Sequence, residues 1–164
     1  MSTRLLFALA LATAPVSASA SAPLQALPQP AVVDSAKLHA ELQRAEKATY
    51  SGRAGEARAI YRKLIAESRA AGEYARLPLW SLAMHYLFQE DKRNAAATLD
   101  ELARQANQFG DPTMELRATF ESAVLWAKDK QHAYAAERVV RIKDLMKSPV
   151  IADADKAEFR RRMS

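Results

Sequence analysis

From Asp34 onward, apolar residues recur every three to four positions, the period of helices with one buried face. Leu38, Leu42 and Ala45 share one such face, and Ala57, Ile60, Tyr61, Leu64 and Ile65 share the next. The stretch Trp80 to Leu102 predicts two antiparallel helices joined at Glu90-Asp91-Lys92-Arg93, with alanines where the backbones cross. Leu116, Phe120, Ala123, Val124 and Ala127 mark a fifth helix, and Ala135, Val139, Ile142 and Leu145 a sixth. Ser51-Gly52-Arg53, Ala71-Gly72, Gly110, Lys128-Asp129-Lys130 and Ser148-Pro149 break the pattern. Asp34 or Ser35 is placed to cap the first helix, and Asp111-Pro112 supplies N-cap and N1 of the fifth. Pro78 is tolerated only in a first turn, so the third helix (about Tyr74 to Gln89) begins near Leu77 or bends at Pro78. A last short helix, over about 153–162, starts at Asp153 with Ala157 and Phe159 as its apolar residues. The expected fold is all-α, over residues 34–164.

Three units follow one another, at about 34–72, 73–110 and 111–147. Ala57, Ala95 and Ala135 sit early in the second helix of each unit, 38 and 40 residues apart. Twelve residues before them stand Ala45, Ala83 and Ala123; four after stand Tyr61, Leu99 and Val139; seven after stand Leu64, Leu102 and Ile142. Small residues at a helix crossing and large apolar ones beside it are what close αα packing requires.

On these residues the chain resembles the tetratricopeptide repeat family. Ala45, Gly52, Ala57 and Tyr61 match its pattern in the first unit, Ala83, Tyr86, Ala95 and Leu99 in the second, and Ala123, Trp126 and Ala135 in the third. The resemblance covers about Asp34 to Met146, with units longer than the family's usual length of about 34 residues. It implies antiparallel helix hairpins, about three, stacked as a right-handed superhelix with a C-terminal capping helix. It also implies a binding module whose first helices line a concave groove for a peptide or partner helix.

Met1 to Ala20 changes the picture of compartment. Arg4, the apolar run Leu5 to Ala12 and the small-residue site Ala18-Ser19-Ala20 read as a cleavable signal peptide. The apolar run is far shorter than the roughly 20 residues of a membrane span. Residues 21–33, rich in Ala and Pro, read as a flexible linker. The expected destination is a bacterial periplasm or the exterior, with no transmembrane span in the mature chain. The chain of 164 residues has no cysteine, which excludes disulfides, a thiol nucleophile and cysteine-ligated zinc.

Carried onto this chain, the family's groove positions are His39, Leu42, Glu46, Thr49 and Tyr50, then Leu77, Trp80, Met84, Leu87 and Phe88, then Arg117, Phe120, Val124, Ala127 and Lys128. The partner-binding candidates are Trp80, Met84, Phe88, Tyr50 and Phe120, with Arg117 and Lys128 available for a carboxylate. An apolar stripe at helical spacing is more often core, here beneath a capping C-terminal helix, than a binding site. The formal charge of +5 gathers towards Arg160-Arg161-Arg162, with Arg138, Arg141, Lys143 and Lys147 upstream. Anionic lipid or an acidic partner would suit it, as would a plain solvated face. No recognition motif for nucleic acid is present. His39, His85 and His132 lack metal-ligand spacing, and no nucleophile motif or phosphate loop occurs. The expectation is a protein-interaction module without catalysis, metal or cofactor. A small enzyme subunit and a homo-oligomer associating through the groove are the alternatives.

Overall fold

The computed structural model describes residues 35–163. The expected leader, the Ala/Pro-rich linker and the Asp34 cap lie outside the described residues. Those residues form seven α-helices and no strand, as the apolar period predicts: α1 (Ser35–Tyr50), α2 (Ala54–Ala70), α3 (Arg76–Phe88), α4 (Lys92–Gln108), α5 (Pro112–Lys128), α6 (His132–Leu145) and α7 (Asp153–Met163). Among them no helix is long and apolar enough to cross a membrane.

Packing runs from each helix to the next through α6, and α1 also reaches α3. The crossing alanines do what their size demands: Ala45, Ala57, Ala83 and Ala95 have no exposed surface. With only methyl groups to hold the axes apart, the helices approach closely and large residues meet beside the crossings. Leu99 and Leu102 of α4 are completely enclosed between α3 and α5, each burial stabilising by about 1.5–3 kcal/mol. Val139, at the same register as Tyr61 and Leu99, is instead 41% exposed, beside Val140 at 63%. Tyr61 and Leu99 are covered because another helix follows their own; no described helix covers this side of α6.

Pro78 is the third residue of α3, and the first intrahelical bond is donated by the next residue, Leu79 N–H to Ala75 C=O, at 3.0 Å. Its missing donor therefore falls where none is needed. Asp111 accepts from the Met114 N–H at 3.0 Å with Pro112 at N1, and Asp91 caps α4 through the Asn94 N–H at 3.1 Å.

The five connections from α1 to α6 share one construction. In each, a residue in the left-handed region turns the chain, and the following N–H donates back to a carbonyl in the last helical turn. The bonds are Arg53 to Ala48, Glu73 to Ser68, Asp91 to Tyr86, Asp111 to Ala106 and Gln131 to Trp126, all 2.8–2.9 Å. This is the Schellman arrangement, which favours glycine at the turning position. Glycine serves at 52, 72 and 110, but Glu90 (φ 58°) and Lys130 (φ 61°) carry the strain in the other two. Lys130→Gly is therefore expected to raise stability by about 0.5–1 kcal/mol, because relief of left-handed strain outweighs glycine's larger unfolded-state entropy. An unchanged or lower urea midpoint would contradict this.

A second, smaller core closes the C-terminal end. Leu116, Phe120 and Ala123 of α5 meet Ile142 and Leu145 of α6, with Ile151 and Phe159 packed onto them. Phe159 is the anchor expected from the sequence; Ala157 is exposed, and Ile151, in the connector, takes its place in the core.

Candidate functional site

Of the hollows among the described residues, two gather most of the candidate side chains. The larger, about 590 Å³, is walled by Asp100, Arg104, Asn107, Glu115, Arg138 and Arg141, among others. Its charges are committed to one another. Asp100 accepts from Ser122 Oγ, from Trp126 Nε1 at 2.9 Å and from Arg138 Nε and Nη2 at 3.0 and 2.8 Å. Glu115, itself buried, accepts from Arg141 Nε at 2.7 Å and Asn107 Nδ2 at 3.1 Å. Arg104 forks onto Glu101. Paired groups of this kind tie α4, α5 and α6 together.

The second hollow, about 380 Å³, lies where α1 and α3 meet over α2. Leu42, Glu46, Thr49 and Tyr50 come from α1, Tyr61 from α2, and Trp80, Ser81, Met84, His85 and Phe88 from α3. The ends of α1 and α3 place Tyr50 and Phe88 edge to face, 5.5 Å apart, although they are 67% and 56% exposed. Trp80, Met84 and Leu42 are half-buried, their inner edges packed on the main core.

At the wall Thr49 and His85 are locked together. The Thr49 hydroxyl donates to the Ala45 carbonyl at 3.0 Å and lies 2.8 Å from His85 Nδ1. Since the hydroxyl proton is given to the carbonyl, Nδ1 carries the ring proton and donates to the threonine oxygen. Nε2 is then a bare acceptor, buried and without a partner in a side chain only 2% exposed. Burial lowers the His85 pKa below its ordinary value, and Arg58 lowers it further, so the ring is neutral near pH 7. Burial raises the Tyr61 phenol, the hydrogen bond with Thr49 opposing it and Glu46 adding to it, so Tyr61 stays protonated.

The structure brings four of the sequence candidates, Tyr50, Trp80, Met84 and Phe88, to this one hollow. It separates the rest. Phe120 is buried under Phe159, their centroids 5.2 Å apart, so its ring face is already used. Arg117 and Lys128 are exposed on α5 and do not line the hollow. Tyr61 and His85 escaped sequence reasoning as wall residues. Tyr61 sits at a repeat core position, and only three-dimensional packing reveals that its ring also lines the hollow.

The basic C-terminal cluster is largely paired. Arg138 reaches Asp100, Arg141 reaches Glu115 and Arg162 reaches Glu121, at 2.8, 2.6 and 2.6 Å; Lys147 pairs with Asp144. Among the described residues no group of three or more His, Cys, Asp or Glu is placed to hold a metal ion. No family model matches the chain, and neither a curated protein nor a solved structure matches it.

Proposed function

We propose that this chain is an exported, non-enzymatic interaction module of the tetratricopeptide-like kind, in which three helix hairpins stack as a superhelix and α1 and α3 seize a partner segment. Support for the repeat comes from the turns. The left-handed residues at 52, 90 and 130 are spaced by the same 38 and 40 residues as the crossing alanines. Support for export is the leader-like run of residues 1–20, tested by N-terminal sequencing of the protein recovered from a cell envelope.

The observation that carries the binding reading is the Tyr50–Phe88 pair standing open beside a hollow. Large aromatics left this exposed gain little for the fold, whereas aromatic anchors in a partly desolvated setting dominate binding energies. Helix α7, the chain's own candidate cover, lies against Phe120 and Glu121 of α5 instead.

The double variant Tyr50→Ala, Phe88→Ala is expected to keep stability within about 1 kcal/mol, both rings being mostly solvated. It should lose at least tenfold in affinity for peptides selected on the wild-type chain. Unchanged affinity would sink the reading; collapse of the fold would show the pair to be core. Self-association through the same hollow is the competing occupant, and a strict monomer by light scattering at high concentration would end it.

A further inference from the structure

The binding reading leaves open what the hollow between α1 and α3 prefers, and its wall chemistry is lopsided. Four aromatic rings border it, those of Tyr50, Tyr61, Trp80 and Phe88. Ring faces are the negative ends of aromatic quadrupoles, and they attract cations. Among the described residues Glu46 is the one carboxylate in the wall, no lysine or arginine lines it, and burial holds the His85 pKa low. Glu46 also has no ion-pair partner among the described residues, unlike the other carboxylates of α1 and α2: Glu41 and Glu56 pair with Arg44, and Glu67 with Lys63.

The remaining polar atoms give an anion no donor: the Thr49 proton is committed to Ala45, and His85 Nε2 is sealed behind the wall. A cation entering here would meet the Glu46 carboxylate and the aromatic side chains of the wall.

Resting on the binding reading above, we propose that this hollow receives an organic cation, the ammonium or guanidinium of a lysine or arginine carried by the bound segment. Its aliphatic stem would lie along Met84 and Trp80 while its head reaches Glu46. The volume falls within the range of about 300–1,000 Å³ usual for ligand sites. The chain's formal charge of +5 opposes any cation at long range, but beyond about 8 Å that field is screened at physiological salt, leaving the local carboxylate in control.

The test uses the full-length chain on a peptide array with degenerate flanks, in which the fixed central residue is each amino acid in turn. Tetramethylammonium chloride is titrated separately against the Trp80 side-chain NMR signal. Lysine and arginine are expected to be enriched at the centre. Glu46→Gln should weaken the best peptides about tenfold, and Glu46→Lys should turn the preference towards aspartate and glutamate. Glu46 is exposed on α1, and circular dichroism checks that both variants fold.

An apolar preference indifferent to charge, or a cation preference untouched by Glu46→Gln, would overturn the inference while leaving segment binding intact. Binding that survives Tyr50→Ala, Phe88→Ala, or no binding at all, would overturn both. A shift of Trp80 by tetramethylammonium with no peptide selectivity would replace the segment-borne cation with a free ammonium ligand.

Discussion

Alanine in place of Asp100 is expected to lower the unfolding free energy by about 3 kcal/mol, the range for breaking a buried ion pair from one side being about 3–5. Three helices converge on this carboxylate: α4 contributes it, α5 offers Ser122 and Trp126, and α6 offers Arg138. Removing it strands the Ser122 hydroxyl, which has no solvent exposure, and the Trp126 indole N–H. Each stranded donor costs about 1–3 kcal/mol in full burial. Two facts place the total at the low end. Arg138 and Asp100 keep 21% and 22% of their side chains exposed, and Arg138 retains Glu137 at 2.6 Å. Urea denaturation of Asp100→Ala, Arg138→Met and the double variant gives the coupling. The double should cost less than the sum of the singles. Strict additivity would show that the pair does not act as a unit.

The second large effect is local. Phe159→Ala is expected to release α7 while the rest of the domain stays folded. Phe159 is 2% exposed against Phe120, Arg162 lies 4.4 Å above the Phe120 ring, and the same guanidinium bonds Glu121 at 2.6 Å. Among the described side chains of α7, Lys156 alone is otherwise buried, and Ile151 anchors the connector before it. Truncating a core phenylalanine costs about 3–5 kcal/mol, enough to remove a short helix held by one apolar anchor. Hydrogen exchange should show amides of 153–163 losing protection while those of α4 and α5 keep theirs. Protection retained in α7 would refute the single-anchor account. With α7 gone, Phe120 and Leu116 would face water beside the exposed Arg117, enlarging the apolar surface without touching the hollow at Trp80.

Most of the helices were legible because they are amphipathic and their ends carry their own chemistry. Pro78, Asp111-Pro112 and the glycines act within a few residues, so their consequences are readable locally. Ion pairs at helical spacing, Glu41–Arg44 and Lys63–Glu67, were readable for the same reason. Where the extra length of the expected units falls was not: helices run to 17 residues, and four of the five connections from α1 to α6 have only three.

The Asp100 network was invisible, because its partners lie 22, 26 and 38 residues away. No periodicity marks an aspartate that will meet a serine, a tryptophan and an arginine from two other helices. The route of α7 was equally hidden, resting on a connector over 146–152 without periodic signal. At the candidate site, Tyr50, Trp80, Met84 and Phe88 were named from the family resemblance, whereas Ser81 was not. Nor was His85: only its pairing with Thr49 fixes its tautomer, and with it the orphaned nitrogen.

The helix-to-helix packing described above also governs how the molecule comes apart. Because helices through α6 meet chiefly those adjacent in sequence, native contacts close short stretches of chain, and folding should be fast, on the microsecond-to-millisecond scale of helical proteins (roughly 10⁻⁶–10⁻³ s). Stability in such an array is nearly a sum over neighbours. Unfolding therefore starts at the ends, and the two ends are unequal. At one, α1 is tied to both α2 and α3; at the other, α6 presents uncovered valines and α7 hangs by a single ring. Melting should thus be graded, progressing inward from the C-terminal side, and the hollow beside Tyr50 and Phe88 should outlast it.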